Sequence, residues 1–294
     1  MKLLTYLYGG KENAGVLSKD GTGVFPFAGF GLPYEDMNSF IRDAGMDRLS
    51  EIQRALDSKE DGAVPFQDIQ VLAPIPVPVQ DIICLGVNFL AHAEESARYK
   101  KETFERDQAA AVYFSKRVDR AVPNGGLIDG HFDIVDSLDY EAELAVVIGR
   151  DARDVPEKDV FSYVLGYTVM NDVSARNIQT RHKQWYFGKS LDGFTPMGPW
   201  IVTEGEFTRP PVLSIQSRVN GEIRQNSTTG LFITSIESAV SELSRGMTLK
   251  AGTILSMGTP AGVGMGFCPP RFLKSGDVVE CEVEKIGTLR NTVQ

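Results

Sequence analysis

Leu138-Asp139-Tyr140-Glu141-Ala142-Glu143-Leu144-Ala145-Val146-Val147-Ile148-Gly149 is an apolar, largely β-branched run with two glutamates at its mouth. The composition predicts a strand over residues 140–148. Residues two apart share one face of a strand, so Glu141 and Glu143 stand side by side, and Ala145 and Val147 continue that face inward. Two bare negative charges bordering a buried surface are costly unless protonated, paired or bound to a cation. The run therefore reads in two ways: a frayed strand end with both glutamates in water, or two oxygen ligands for a hard cation.

Further strands are expected over residues 82–86, 163–170, 200–202, 212–219, 253–257 and 278–283, separated by Gly, Pro, Asn and Asp clusters. This predicts a long, mainly antiparallel β architecture interrupted by two helices, one after Asn88 and one near residues 236–245. Upstream, short strands with glycine turns (residues 3–8, 14–18 and 23–27) precede a helical stretch from about residue 36 to 56. Between these regions, prolines at alternate positions in residues 71–79 forbid a helix and favour an extended connector. The expected organisation is an α+β chain with a small N-terminal α+β domain at residues 1–70 and a catalytic domain at residues 71–294. Residues 93–110 are dense in charge, which fits either a solvated helix or loop or a mobile lid beside a site.

A third carboxylate strengthens the cation reading. Asp172 sits where the apolar strand 163–170 gives way to a polar, helix-prone segment. It fits a helix N-cap, or, with the two glutamates, an oxygen donor set suited to Mg²⁺ or Mn²⁺ rather than zinc. The three histidines have no H-x-x-x-H spacing that would make a helix-borne zinc site. His92 and Glu95 lie at i and i+3 in the first turns of the helix after Asn88, so the carboxylate can orient the imidazole as a general base; a plain surface pair is the alternative. Lys189, set among aromatic and apolar residues, reads as a desolvated cation for an anionic substrate or as a snorkelling side chain. The turn Gly258-Thr259-Pro260-Ala261-Gly262-Val263-Gly264 lacks the G-x-G-x-x-G spacing of dinucleotide binding. Its amides and the Thr259 hydroxyl suit a carboxylate, or the turn is simply structural.

The whole-chain balance narrows the class of partner. A net charge of −9 and 42% hydrophobic content describe an acidic chain able to bury a full core. No nucleic-acid or anionic-membrane surface is expected, because such partners need a positive field. A small-molecule ligand is expected, with positive charge concentrated locally if that ligand is an anion. Three widely spaced cysteines indicate neither a disulfide framework nor a zinc ribbon and fit a reducing cytoplasm, and nothing at the start of the sequence reads as a secretory signal.

Taken in order, these segments resemble the fumarylacetoacetate hydrolase family from about residue 75 onward. The matching residues are Gly86, Asn88, Phe89, His92 and Glu95; Glu141 and Glu143; Asn171 to Arg176; Gly188 to Pro199; and Gly258 to Gly264. The resemblance implies a mixed β-roll fold, a homodimer, and Mg²⁺ or Mn²⁺ held by Glu141, Glu143 and Asp172. It further implies that His92 and Glu95 handle water or a proton, and that Lys189, Arg176, Gln179 and Thr259 contact a small 2-keto acid. Phe89 stands where the family commonly has Tyr, and Tyr113-Phe114-Ser115-Lys116-Arg117 departs from its F-x-K-P pattern, which leaves Lys116 without a defined role. The expected reaction is cleavage of a carbon–carbon bond in an acylpyruvate-type acid through a stabilised enolate. Oxaloacetate-type decarboxylation and keto–enol isomerisation are the alternatives on the same site, and a non-catalytic dicarboxylate-binding metal protein is the reading from another class.

Overall fold

A computed structural model of the chain describes residues 1–59, 61–100 and 110–294. Strand Ala142–Ile148 lies at its centre, with every residue buried. It pairs antiparallel with Val164–Asn171 on one edge and with Ile254–Ser256 on the other. Leu144, Val146 and Ile148 enter one hydrophobic cluster while Ala145 and Val147 enter another, as a period of two requires. Glu143 is the second residue of this strand, and Glu141 lies just before it.

An eleven-stranded sheet surrounds this strand. Its order is Val64–Pro65, Gly23–Pro26, Lys11–Leu17, Lys2–Tyr8, Met197–Thr203, Val164–Asn171, Ala142–Ile148, Ile254–Ser256, Ile82–Gly86 and Val112–Lys116, with Gln70–Val71 also on Lys2–Tyr8. A second sheet, Glu222–Thr228, Ser214–Val219, Val278–Val283, Gly287–Val293 and Leu127–Ile128, packs on the face that carries Leu144 and Val146. Named strands pair antiparallel except Ile254–Ser256 with Ile82–Gly86 and Gly287–Val293 with Leu127–Ile128. The result is the strand-dominated mixed architecture expected, and among the described residues the strand order does not close into a barrel.

Residues 72–81, the proline-rich connector, carry no helix or strand. The main sheet nevertheless runs across this break, since Lys2 and Leu3 pair with Val202 and Ile201. Leu3, Val16, Phe27 and Phe40 accordingly share one hydrophobic cluster with Ala145, Leu165 and Ile201. The helical stretch near residues 36–56 is two helices, Met37–Asp43 and Gly45–Ser58, divided at Ala44 with φ −148° and ψ −17°. The two later helices are Leu90–Lys100 and Ile236–Ser244. Two more, Arg176–Arg181 and Tyr186–Lys189, are too short to show a helical period in sequence. Residues 93–100 of the charged stretch belong to a helix; the possible lid over residues 101–109 lies outside the described residues. No helix among the described residues is long and apolar enough to cross a membrane.

Candidate active site

The three carboxylates meet. Ligand oxygens of Glu141, Glu143 and Asp172 lie within 4.8 Å of one another, and all three residues are buried. Backbone geometry enforces this: the Asp172 amide donates to the Glu141 carbonyl (2.9 Å), and the Glu141 amide donates to Asn171 Oδ1 (3.0 Å). Glu141 and Glu143 are only 5% and 1% exposed, which excludes a frayed strand end in water. Asp172 does not cap a helix either. The next helix begins at Arg176 behind Ala175, with no side-chain cap, and the Asp172 carboxylate turns inward to two lysines.

Those cations divide the acids unequally. Lys189 Nζ donates to Glu141 Oε2 (2.8 Å) and Asp172 Oδ2 (2.6 Å), while Lys116 Nζ donates to Asp172 Oδ1 (2.7 Å). Arg176 joins Asp139 Oδ2 through Nε (2.9 Å) and forms an ion pair with Glu141 Oε1 (2.7 Å). Lys189 is therefore a buried ion-pair partner rather than a snorkelling side chain. Burial disfavours its charge, yet Asp172 and Glu141 hold its ammonium above the ordinary lysine range. Burial also acts to raise Glu141, but Lys189 and then Arg176 outweigh it and hold that carboxyl well below the usual range.

Glu143 differs from its neighbours. It accepts hydrogen bonds from the Ser256 hydroxyl and the Gly258 amide, and forms no ion pair among the described residues. Burial, then the charges of Asp172 and Glu141, push its carboxyl well above the usual carboxylate range. A buried carboxylate facing two others without a cation of its own is a site that a divalent cation would satisfy. Three oxygen donors, with no sulfur or imidazole among them, fit Mg²⁺ or Mn²⁺.

The loop 258–266 binds carboxylates, and they are the protein's own. Its amides donate to Glu143 from Gly258, to Glu95 from Gly262 (3.1 Å), and to Asp139 from Gly264 (2.6 Å) and Met265 (3.0 Å). The Thr259 hydroxyl donates to the Ala142 carbonyl (2.9 Å) and accepts from Gln225 (2.7 Å). Glu95 in turn faces His92 Nδ1 at 3.2 Å with both residues buried, so this is no surface pair. A Cβ on Gly266 would fall 1.7 Å from Glu95 Oε1 and 2.4 Å from its Cγ. Gly266→Ala is accordingly expected to push Glu95 off His92 and to slow any reaction that uses this pair by on the order of 10²-fold, with a folded protein by circular dichroism; an unchanged rate would show that Glu95 is not needed where it stands.

A cavity of about 660 Å³ opens over these groups. Glu141, Glu143, Arg176, Lys189 and His92 line its polar end, and Leu85, Phe114, Trp185 and Met265 supply apolar wall. Gln179 and Thr259 also face it. Residues 81–294 match the family described as fumarylacetoacetate (FAA) hydrolase, C-terminal. The chain belongs to the fumarylacetoacetate hydrolase family.

Relatives of this family share most or all of the length. Oxaloacetate tautomerase YisK of Bacillus subtilis is 42% identical over 229 residues, covering 78% of this chain and 74% of that protein. The solved fumarylacetoacetate hydrolase of Exiguobacterium antarcticum is 35% identical with a TM-score of 0.82, covering 100% and 99% of the two chains. The structure described as 2-hydroxyhepta-2,4-diene-1,7-dioate isomerase from Mycobacterium marinum is 29% identical with a TM-score of 0.73, covering 100% and 98%.

All nine residues singled out from the sequence line this family member's cavity or touch residues that do. His92, Glu141, Glu143, Arg176, Gln179, Lys189 and Thr259 line it, Asp172 is bound to Lys189, and Glu95 is bound to His92. Sequence reading missed Asp139, which anchors Arg176 and the 264–265 amides, and Ser256, which holds Glu143. Asp139 stood two residues before Glu141 as a usable signal; nothing in the sequence distinguished Ser256. Lys116, the position without a defined role, is fully buried on Asp172.

Proposed function

We propose that this protein is a divalent-cation-dependent enzyme that moves a proton at the carbon beside the keto group of a small 2-keto diacid, interconverting its keto and enol forms. The observation carrying this reading is that His92, braced by Glu95, shares one cavity with Lys189, Gln179 and the carboxylate triad. The similarity to an oxaloacetate tautomerase favours this substrate class. Held by Glu141, Glu143 and Asp172, a Mg²⁺ or Mn²⁺ ion would supply Lewis-acid stabilisation of the negative charge that develops on the keto oxygen.

The side chains supply the rest. Arg176 is committed to Asp139 and Glu141 and donates through Nη1 to Gln179 Oε1 (3.0 Å), which leaves the Gln179 amide nitrogen to donate to the substrate carboxylate. The Lys189 ammonium, held charged, stabilises the oxygen that gains charge as the proton leaves. Because Nδ1 of His92 faces Glu95, Nε2 is the nitrogen available to take the proton and return it. Turnover of Lys189→Met is expected to fall by roughly 10²–10³-fold. Wild-type kcat in that variant would remove Lys189 from the chemistry.

A second reading is hydrolysis of an acylpyruvate, with the same His92 and Glu95 pair activating water. The similarity to a fumarylacetoacetate hydrolase favours it, and both reactions generate an enolate. Decarboxylation of an oxaloacetate-like acid needs no water attack. Following enol decay, pyruvate release and acylpyruvate loss in parallel separates the three, and consumption of any of these substrates excludes a purely binding role.

A further inference from the structure

Charge along the cavity is uneven. At the inner end every cation is committed: Lys189 to Glu141 and Asp172, Arg176 to Asp139 and Glu141. Where the chain leaves helix Arg176–Arg181, the wall is made by Thr180, His182 and Lys183. Lys183 makes no hydrogen bond or ion pair with any described residue. The His182 ring packs edge-on against Phe187, with centroids 5.7 Å apart, and among the described residues the Lys183 ammonium is the cation on that wall that no carboxylate pairs. In a chain of net charge −9, a cation that no described residue pairs, lining a cavity over an anion-handling centre, is a local reversal of sign. A cavity of about 660 Å³ also has room beyond a keto-acid head, since volumes of roughly 300–1,000 Å³ take drug-sized ligands.

We infer that Lys183 forms a second anion subsite, which receives the distal carboxylate of the substrate and selects 2-keto diacids over 2-keto acids with an uncharged tail. This rests on the 2-keto acid reading above for what occupies the inner end. An ammonium works here as a point charge on a flexible stem, so it tolerates a range of chain lengths better than a planar guanidinium clamp would.

The test measures binding as well as turnover. With Mg²⁺ present, Trp185 fluorescence or calorimetry would follow 2-oxo diacids of increasing length, each paired with the 2-oxo monoacid of equal carbon count. Wild type is expected to prefer one diacid by on the order of tenfold. Lys183→Met should bring the affinity for that diacid down to that for the monoacid, Lys183→Glu should lower it further, and Lys183→Arg should restore the preference. Equal binding of diacid and monoacid by wild type, or an intact preference in Lys183→Met, overturns the subsite. If oxaloacetate is still turned over in that case, the enzyme reading survives; absence of both binding and turnover overturns the two together.

Discussion

Glu143→Gln is expected to abolish the rise in melting temperature that Mg²⁺ or Mn²⁺ produces, and to cut turnover by about 10³-fold or more. Glutamine keeps an acceptor for the Ser256 hydroxyl and the Gly258 amide but removes a charge that nothing in the described chain neutralises. Without a cation, that charge lies buried against Asp172 and Glu141, which is why the Glu143 carboxyl is driven upward. The cation-free variant should therefore melt at or above the cation-free wild type, because a repulsive charge has gone. In wild type, cation at a hundred times its dissociation constant should add about 2.7 kcal/mol of stability. A variant that keeps this cation response would show that Glu143 is not a ligand. A variant that melts far lower without cation would show that its charge is structural.

His92→Ala should lower keto–enol turnover by on the order of 10²–10⁴-fold. Its imidazole lines the cavity and its Nδ1 is fixed by Glu95, itself held by the Gly262 amide. Decarboxylation, which needs no activated water, should suffer much less in the same variant. Cation binding should persist, because His92 is outside the carboxylate triad. Full keto–enol turnover by His92→Ala would dismiss it as the proton carrier.

Much of this arrangement was legible in the sequence for a physical reason. Glu141 and Glu143 interrupt an apolar strand that could not be explained cheaply without a cation, and Asp172 directly follows the neighbouring strand in the sheet. Local reading failed where a residue's role depends on distant chain. Asp172 fits a helix cap by its local sequence, whereas Lys116 and Lys189, 56 and 17 residues away, hold its two oxygens. The loop 258–266 resembled a ligand cradle, but its amides are spent on Glu95, Asp139 and Glu143, all from earlier chain. Likewise the proline-rich stretch marked a break in local structure, while pairing of Lys2 with Val202 across 200 positions carries the sheet past it.

The proposed activity is cation-dependent keto–enol chemistry on a small 2-keto diacid. The most direct measurement is the rate at which the enol form of oxaloacetate decays in the presence of the enzyme with Mg²⁺, with Mn²⁺, and after chelation, with pyruvate release and acylpyruvate loss recorded alongside. Acceleration that vanishes on chelation and returns with the cation is the predicted result. Equal rates in the chelated enzyme, or tight cation-dependent binding of these acids with none of them consumed, would contradict it.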